Sequence, residues 1–124
     1  MLRHVDRPVT PEEVAIVQWL LDNAPVDDIA AYREQKPENL RVVEVCDCGC
    51  VSALFESDNR GVKMIAAATA KYLDGKRAGL ILFGKEGRIT WLEVHDWDPD
   101  ASHRMPTIAD LRRWEEYFDP GGKS

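Results

Sequence analysis

Cys46, Cys48 and Cys50 lie within the five residues CDCGC and are the only three cysteines of the chain. Thiolates suit zinc or copper(I). A structural zinc, however, takes four ligands, commonly as pairs separated by two to four residues. Here the separation is one and the set is one ligand short, so a metal centre would have to recruit Asp47, or His4, His95 or His103 through the fold. Cys46, Cys48, Cys50 and His95 form the zinc set that this reading names. A disulfide is less well served, because residues two apart on an extended strand stand about 6.6 Å apart with parallel side chains. The plainer account makes the thiols small, half-buried fillers of a hairpin whose turn uses Gly49 and the Asp47 side chain.

A second group of residues able to do chemistry is EVHDWDPDASH, Glu93 to His103. On a strand, Glu93 and His95 share a face two residues apart, which would suit proton transfer or a borderline metal. Glu93, Asp96, Asp98 and Asp100 bring four acids with no base among them. Trp91 and Trp97 bracket the segment. Exposed tryptophans rimmed by acids are what a protein-binding surface looks like, so Trp91, Glu93, Trp97, Asp98 and Asp100 are the candidate partner-binding residues. The competing account is a solvated sheet face followed by a loop that uses Asp and Pro for its turns. No glycine-rich phosphate loop, nucleophile elbow or HExxH pair occurs, so no catalytic residue is assigned.

The elements that would position these groups can be read from periodicity. Thr10-Pro11-Glu12-Glu13 is a helix start with a capping box, and Val14, Val17, Leu20, Leu21 and Ala24 repeat on one face to about Asn23. A shorter helix is expected over 26–35. Then the period changes. LRVVEVC (40–46) and VSALFES (51–57) read as a hairpin joined through DCGC. Asp74-Gly75 and Lys85-Glu86-Gly87-Arg88 predict two further hairpins. In ITWLEVHDW, Thr90, Leu92 and Val94 would share one face and Ile89, Trp91, Glu93 and His95 the other. Residues 62–73 read as a strand, although their alanines would also suit a helix ending at Gly75. Pro106 to about Phe118 reads as a last helix, with Thr107 and Asp110 at capping-box spacing and Ile108, Leu111, Trp114 (or Glu115) and Phe118 inward. Residues 119–124 read as a frayed tail. The expected fold is thus α+β: one domain over 1–124, an antiparallel sheet of about five strands in sequential hairpins, two N-terminal helices and one C-terminal helix on one face.

CDCGCVSALF (46–55) followed by DGKRAGLILFGKEGRITWLEV (74–94) resembles a group of small bacterial proteins of uncharacterised activity. They share a CxCGCPS-type hairpin, a DG turn, an LLF-like strand, a GRL-type turn and a strand ending in LE. The likeness covers about the middle 50 residues, with Val51 where the group has proline. It implies a shared α+β core and a strand over 62–73, and assigns no activity.

Composition narrows the function classes. The 16 basic and 22 acidic residues give a net charge of −6, which disfavours nucleic acid and anionic membrane surfaces. Absence of a signal-like apolar run at the N-terminus and of any 20-residue apolar stretch points to a cytoplasmic protein. The expectation is a non-enzymatic protein that binds another macromolecule, of immunity or regulatory type, without a cofactor. The alternative is a zinc or thiol-redox protein built on the CDCGC hairpin.

Overall fold

In the computed structural model, residues 2–23, 30–46, 51–98 and 105–113 are described, with the backbone alone at Cys46. The strands are β1 (Leu2–Pro8), β2 (Arg41–Cys46), β3 (Ala53–Leu54), β4 (Lys63–Lys71), β5 (Arg77–Lys85), β6 (Arg88–Asp96) and β7 (Leu111–Arg113). The helices are α1 (Pro11–Asp22) and α2 (Ala30–Glu34), with single 3-10 turns at Pro37–Asn39 and Ile108–Asp110. The strands form one antiparallel sheet in the order β1-β2-β3-β6-β5-β4-β7.

Helix α1 begins where its sequence requires. The Glu13 N–H donates to Thr10 Oγ1 at 3.1 Å and the Thr10 N–H to Glu13 Oε1 at 2.9 Å, which satisfies two otherwise orphaned donors. Arg7 of β1 grips the same carboxylate with both terminal nitrogens, at 3.0 and 2.9 Å. That pairing lets Glu13 be buried to 3% exposure, and it raises the pKa of Arg7. Ile16, Val17, Leu20 and Leu21 follow on the same side of the helix and are fully buried, each worth about 1.5–3 kcal/mol of transfer free energy.

They pack on one face of the sheet. Ala53, Leu92, Leu82 and Ala66 are direct partners across β3, β6, β5 and β4, and all four belong to the same buried cluster as α1. Tyr32 of α2 closes one end of this layer over Gly84. Met105 packs against the layer, and the Ile108–Asp110 turn touches α1, so the connection from β6 to β7 reaches the helix side as well.

The turns follow their chemistry. Glu86 (φ 54°) and Gly87 (φ 80°) make a two-residue loop with both residues left-handed, which matches the strand twist between β5 and β6. Gly75 (φ 88°) turns the chain from β4 to β5, and the Asp74 carboxylate accepts the Lys76 N–H at 3.0 Å.

Several expectations need correction. The sheet has seven strands, not about five, because β1 and β7 add one to each edge. Strand β1 shows no apolar alternation: it is an edge strand, exposed at most positions, that pairs with β2 from Leu2↔Cys46 to Pro8↔Arg41 across a bulge. The strands are not all in sequential hairpins, since β3 has two residues and bridges β2 to β6. The expected C-terminal helix is absent over its described part. The Thr107 N–H and hydroxyl both donate to the Asp110 carboxylate, at 2.9 and 3.1 Å, but the helix stops after one 3-10 turn. Leu111 then enters the core at 4% exposure as the strand partner of Ala70. The free edge of β4 supplies backbone partners that a lone helical turn lacks, and that tertiary pairing wins over the local signal. Trp114, Glu115 and Phe118 lie outside the described residues. The second helix is present over Ala30–Glu34 and ends one residue before the expected Gln35; residues 26–29 of that expectation lie outside the described residues. Residues 63–71 are a strand, as the resemblance implies.

Candidate binding surface

The face of the sheet turned away from α1 carries the sequence-selected residues of β6. Thr90, Leu92 and Val94 are buried toward the helices, which leaves Trp91, Glu93 and His95 on the outer face. Ile89, expected to join them, does not. A bulge opposite Phe83 and Gly84 shifts the pairing by one residue, and Ile89 is buried while its N–H donates to Gln35 Oε1.

Direct cross-strand partners share a face, and here they line up a row over five strands: Glu44, Leu54, Trp91, Phe83 and Met64. The Trp91 and Phe83 rings stack with centroids 4.5 Å apart and planes 24° from parallel. Leu54 is 6% exposed yet belongs to no part of the helix-side cluster, so its neighbours on the outer face bury it. Met64 is 54% exposed. Ile81, opposite Glu93, extends the apolar area, and the covered Trp91 Nε1 has no hydrogen-bond partner.

One row further along, Gly79 makes a seat. A methyl group at Gly79 would stand 2.9 Å from both His95 Cε1 and Trp97 Nε1, so both rings rest on the bare backbone. The Trp97 indole N–H donates to His95 Nε2 at 3.1 Å. Because an indole nitrogen can only donate, His95 Nε2 is the acceptor in this contact. The Arg77 guanidinium stands 5.9 Å above the centre of the Trp97 ring. Asp98 accepts the Arg77 N–H at 2.7 Å, and the Trp97 N–H donates to Arg77 O at 2.9 Å, which closes the end of the β5–β6 pair.

The sequence-selected set therefore divides. Trp91 and Glu93 lie on the outer face, with Trp97 beside them against Gly79. Asp98 is engaged in holding Arg77, and Asp100 lies outside the described residues. For the zinc set, Cys48 and Cys50 also lie outside the description and Cys46 is described by backbone alone. His95 sits on β6, with β3 between it and the strand of Cys46, so two strand spacings of about 5 Å each separate them. Its Nε2 is already engaged by Trp97, and among the described residues no group of three His, Cys, Asp or Glu is placed to hold a metal. Glu93 and His95 share the outer face, where the imidazole partner is an indole and not the carboxylate.

Elsewhere, an open cleft of about 650 Å3 is lined by Asp58, Arg60, Lys63, Lys85 and Glu86. Its charges are largely paired internally: Arg60 holds Asp58 through two side-chain bonds at 3.0 and 3.1 Å, and Lys85 donates to Arg60 O at 2.9 Å. The pairing keeps the Asp58 carboxyl well below the usual carboxylate range.

Sequence reasoning missed Leu54, Met64, Ile81, Phe83 and Gly79 as members of this surface. A signal was present in LILFG, since Leu80 and Leu82 face the helices while Ile81 and Phe83 are equally apolar on the other side. No described helix is long and apolar enough to cross a membrane. No known family, curated protein or solved structure matches this chain.

Proposed function

We propose that this chain works without catalysis, as a cytoplasmic immunity-type or regulatory protein that binds another macromolecule through the outer face of its sheet. The observation that carries the reading is the centre of β5 being apolar on both faces, Leu80 and Leu82 on one and Ile81 and Phe83 on the other, with Trp91 of β6 stacked on Phe83, while the described helices cover one face. An antiparallel sheet needs apolar residues on a second face only where something packs there. A stacked Trp91–Phe83 pair at the centre of that face, bordered by Glu93 and Glu44, has the composition of a protein-binding hot spot with a polar rim. The likeness to small bacterial proteins is consistent with this reading and adds no activity to it.

The test is quantitative affinity capture from cells with tagged wild type, Phe83→Ser, Glu93→Lys and the control Lys36→Glu, which lies on an exposed turn away from the face. Circular dichroism confirms that each variant folds. The reading expects specific partners to be lost from the two face variants and retained by the control. Equal recovery across all four would overturn it.

A further inference from the structure

The end of the sheet next to the β4–β5 hairpin gathers positive charge on the outer face. Strand alternation turns Ala68 and Ala70 toward the helices, so Thr69 and Lys71 of β4 point outward, as do Arg77 and Gly79 of β5. Lys71 is the direct partner of Arg77, and Thr69 is the direct partner of Gly79 on one side and of Arg112 on the other. Direct partners have Cβ atoms about 5 Å apart and diagonal ones stand about 7–8 Å apart, so Arg112, Lys71 and Arg77 surround Thr69 with three cations. Like charges this close repel. Asp98 reaches Arg77 Nη2 at 3.7 Å, whereas Lys71 and Arg112 meet no carboxylate among the described residues.

Thr69 adds an independent sign. It is 1% exposed, and its Oγ1 is buried without a hydrogen-bond partner. A buried hydroxyl in that state costs free energy, and its O–H is a donor for any acceptor that reaches it. Arg112 is already held in place: its Nη1 donates to the carbonyl oxygens of Ala109 and Leu111 at 2.9 and 2.8 Å, which leaves the Nε and Nη2 hydrogens for a ligand. Arg77 is steadied by Asp98 and by the Trp97 ring, whose centre lies 5.9 Å from the guanidinium carbon.

We infer that this corner is a binding site for a phosphate group, taken as the free ion or as the monoester of a small molecule. Arg112 and Arg77 offer planar donors that match phosphate oxygens, and Lys71 supplies a point charge between them. Thr69 Oγ1 donates from the floor once the flexible Lys71 and Arg112 stems beside it part. A dianion suits the corner better than a single carboxylate does, because three cations face it against the one charge of Asp98. The chain as a whole carries a net charge of −6, which repels a long polyanion and a small one far less. Arg77 stands about 20 Å along β5 from Phe83, and the inference does not rest on the macromolecule-binding reading.

Nitrogen-15 correlation NMR of the full chain tests it, with inorganic phosphate and glycerol phosphate titrated in parallel at an ionic strength held constant with sodium chloride. The expected result is a saturable shift of the Thr69, Lys71, Gly79 and Arg112 amides with a Kd on the order of 1 mM, as suits an open surface site. Lys71→Ala and Arg112→Gln should each weaken binding about fivefold or more. Both residues are exposed, so these variants fold, and their spectra verify it. Thr69→Val matches the shape of the side chain and removes the orphaned hydroxyl, so it should weaken binding about twofold or more without lowering the melting temperature. Tighter or equal binding of the ester assigns the site to an organic phosphate, and weaker binding assigns it to the free ion. Shifts no larger than those from sodium chloride alone, or affinities that Lys71→Ala and Arg112→Gln leave within about twofold of wild type, overturn the inference.

Discussion

Gly84→Ala is the substitution that most directly interrogates how the helix layer sits on the sheet. An added methyl group at this position would stand 2.5 Å from Tyr32 Cε1 and 3.0 Å from the Arg88 carbonyl oxygen. Both neighbours are constrained: Tyr32 is 3% exposed in the core, and the Arg88 oxygen belongs to the hairpin backbone paired with β5. Neither can rotate aside, so α2 or the strand must move. Overpacking of this kind costs about 1–3 kcal/mol. For a chain of this size each kcal/mol lowers the melting temperature by about 3–5 °C, so a loss of about 3–15 °C is expected. Urea denaturation measures the free energy, and a double-mutant cycle with Tyr32→Leu, which removes the ring edge, isolates the cause. The double variant should be less destabilised than the sum of its singles by about 0.5–2 kcal/mol. A Gly84→Ala protein within about 0.5 kcal/mol of wild type, below what overpacking costs, or strict additivity in the cycle, would refute the close approach of Tyr32 to β5.

Gly79→Ala, on the same strand but the opposite face, should be milder, about 1 kcal/mol or less, because the atoms in its way are side-chain rings at a half-open surface. Its signature is a shift in tryptophan emission as the Trp97 indole leaves His95, and an unchanged spectrum would count against the seat. Thr10→Ala removes the side-chain acceptor for the Glu13 N–H and should cost about 1 kcal/mol in urea denaturation, whereas a neutral result would show that the capping box contributes nothing. Asp58 should titrate below ordinary aspartate by carbon-detected NMR, chiefly because Arg60 hydrogen-bonds its carboxylate, and Arg60→Gln should return it upward. Since the folded carboxyl is the more acidic, any stabilisation from this pair is present above the unfolded pKa and disappears as pH falls through the folded one. Loss on raising pH instead would contradict the assignment.

How much could be read from the residues depended on whether a signal was local. The start of α1 was legible because Thr10, Pro11 and Glu13 act within one turn, and the β5–β6 hairpin because Glu86 and Gly87 must both take positive φ. Strand β1 was not, since Arg3, His4, Asp6 and Arg7 carry no alternation and become a strand only by pairing with β2. The segment 107–113 misled for the same reason in reverse. Its Thr107–Asp110 contacts form as expected, but Leu111 gains more from the edge of β4 and the core than from a second helical turn. At the surface, Trp91 and Glu93 stood out by type, while Phe83 and Met64 join them through pairings across β5 and β4 that no single segment encodes.

The edges of this sheet bear on why its face is the route to association. An open antiparallel sheet can recruit a partner by adding a strand at an edge or by covering a face. Strand β1 discourages the first: it carries charged residues at Arg3, Asp6 and Arg7, is broken by a bulge between His4 and Arg7, and ends at Pro8, which has no N–H to offer. Strand β7 is three residues long and ends in Arg112 and Arg113, too short and too charged to template a ladder among the described residues. With both edges blunted among the described residues, the apolar area left to a partner is the row from Trp91 through Phe83 to Met64. Substitutions along that row should therefore change binding more than substitutions at either edge. An effect of Asp6 or Arg113 variants on partner capture equal to that of Phe83→Ser would reverse the assignment and place the contact on the backbone ladder instead.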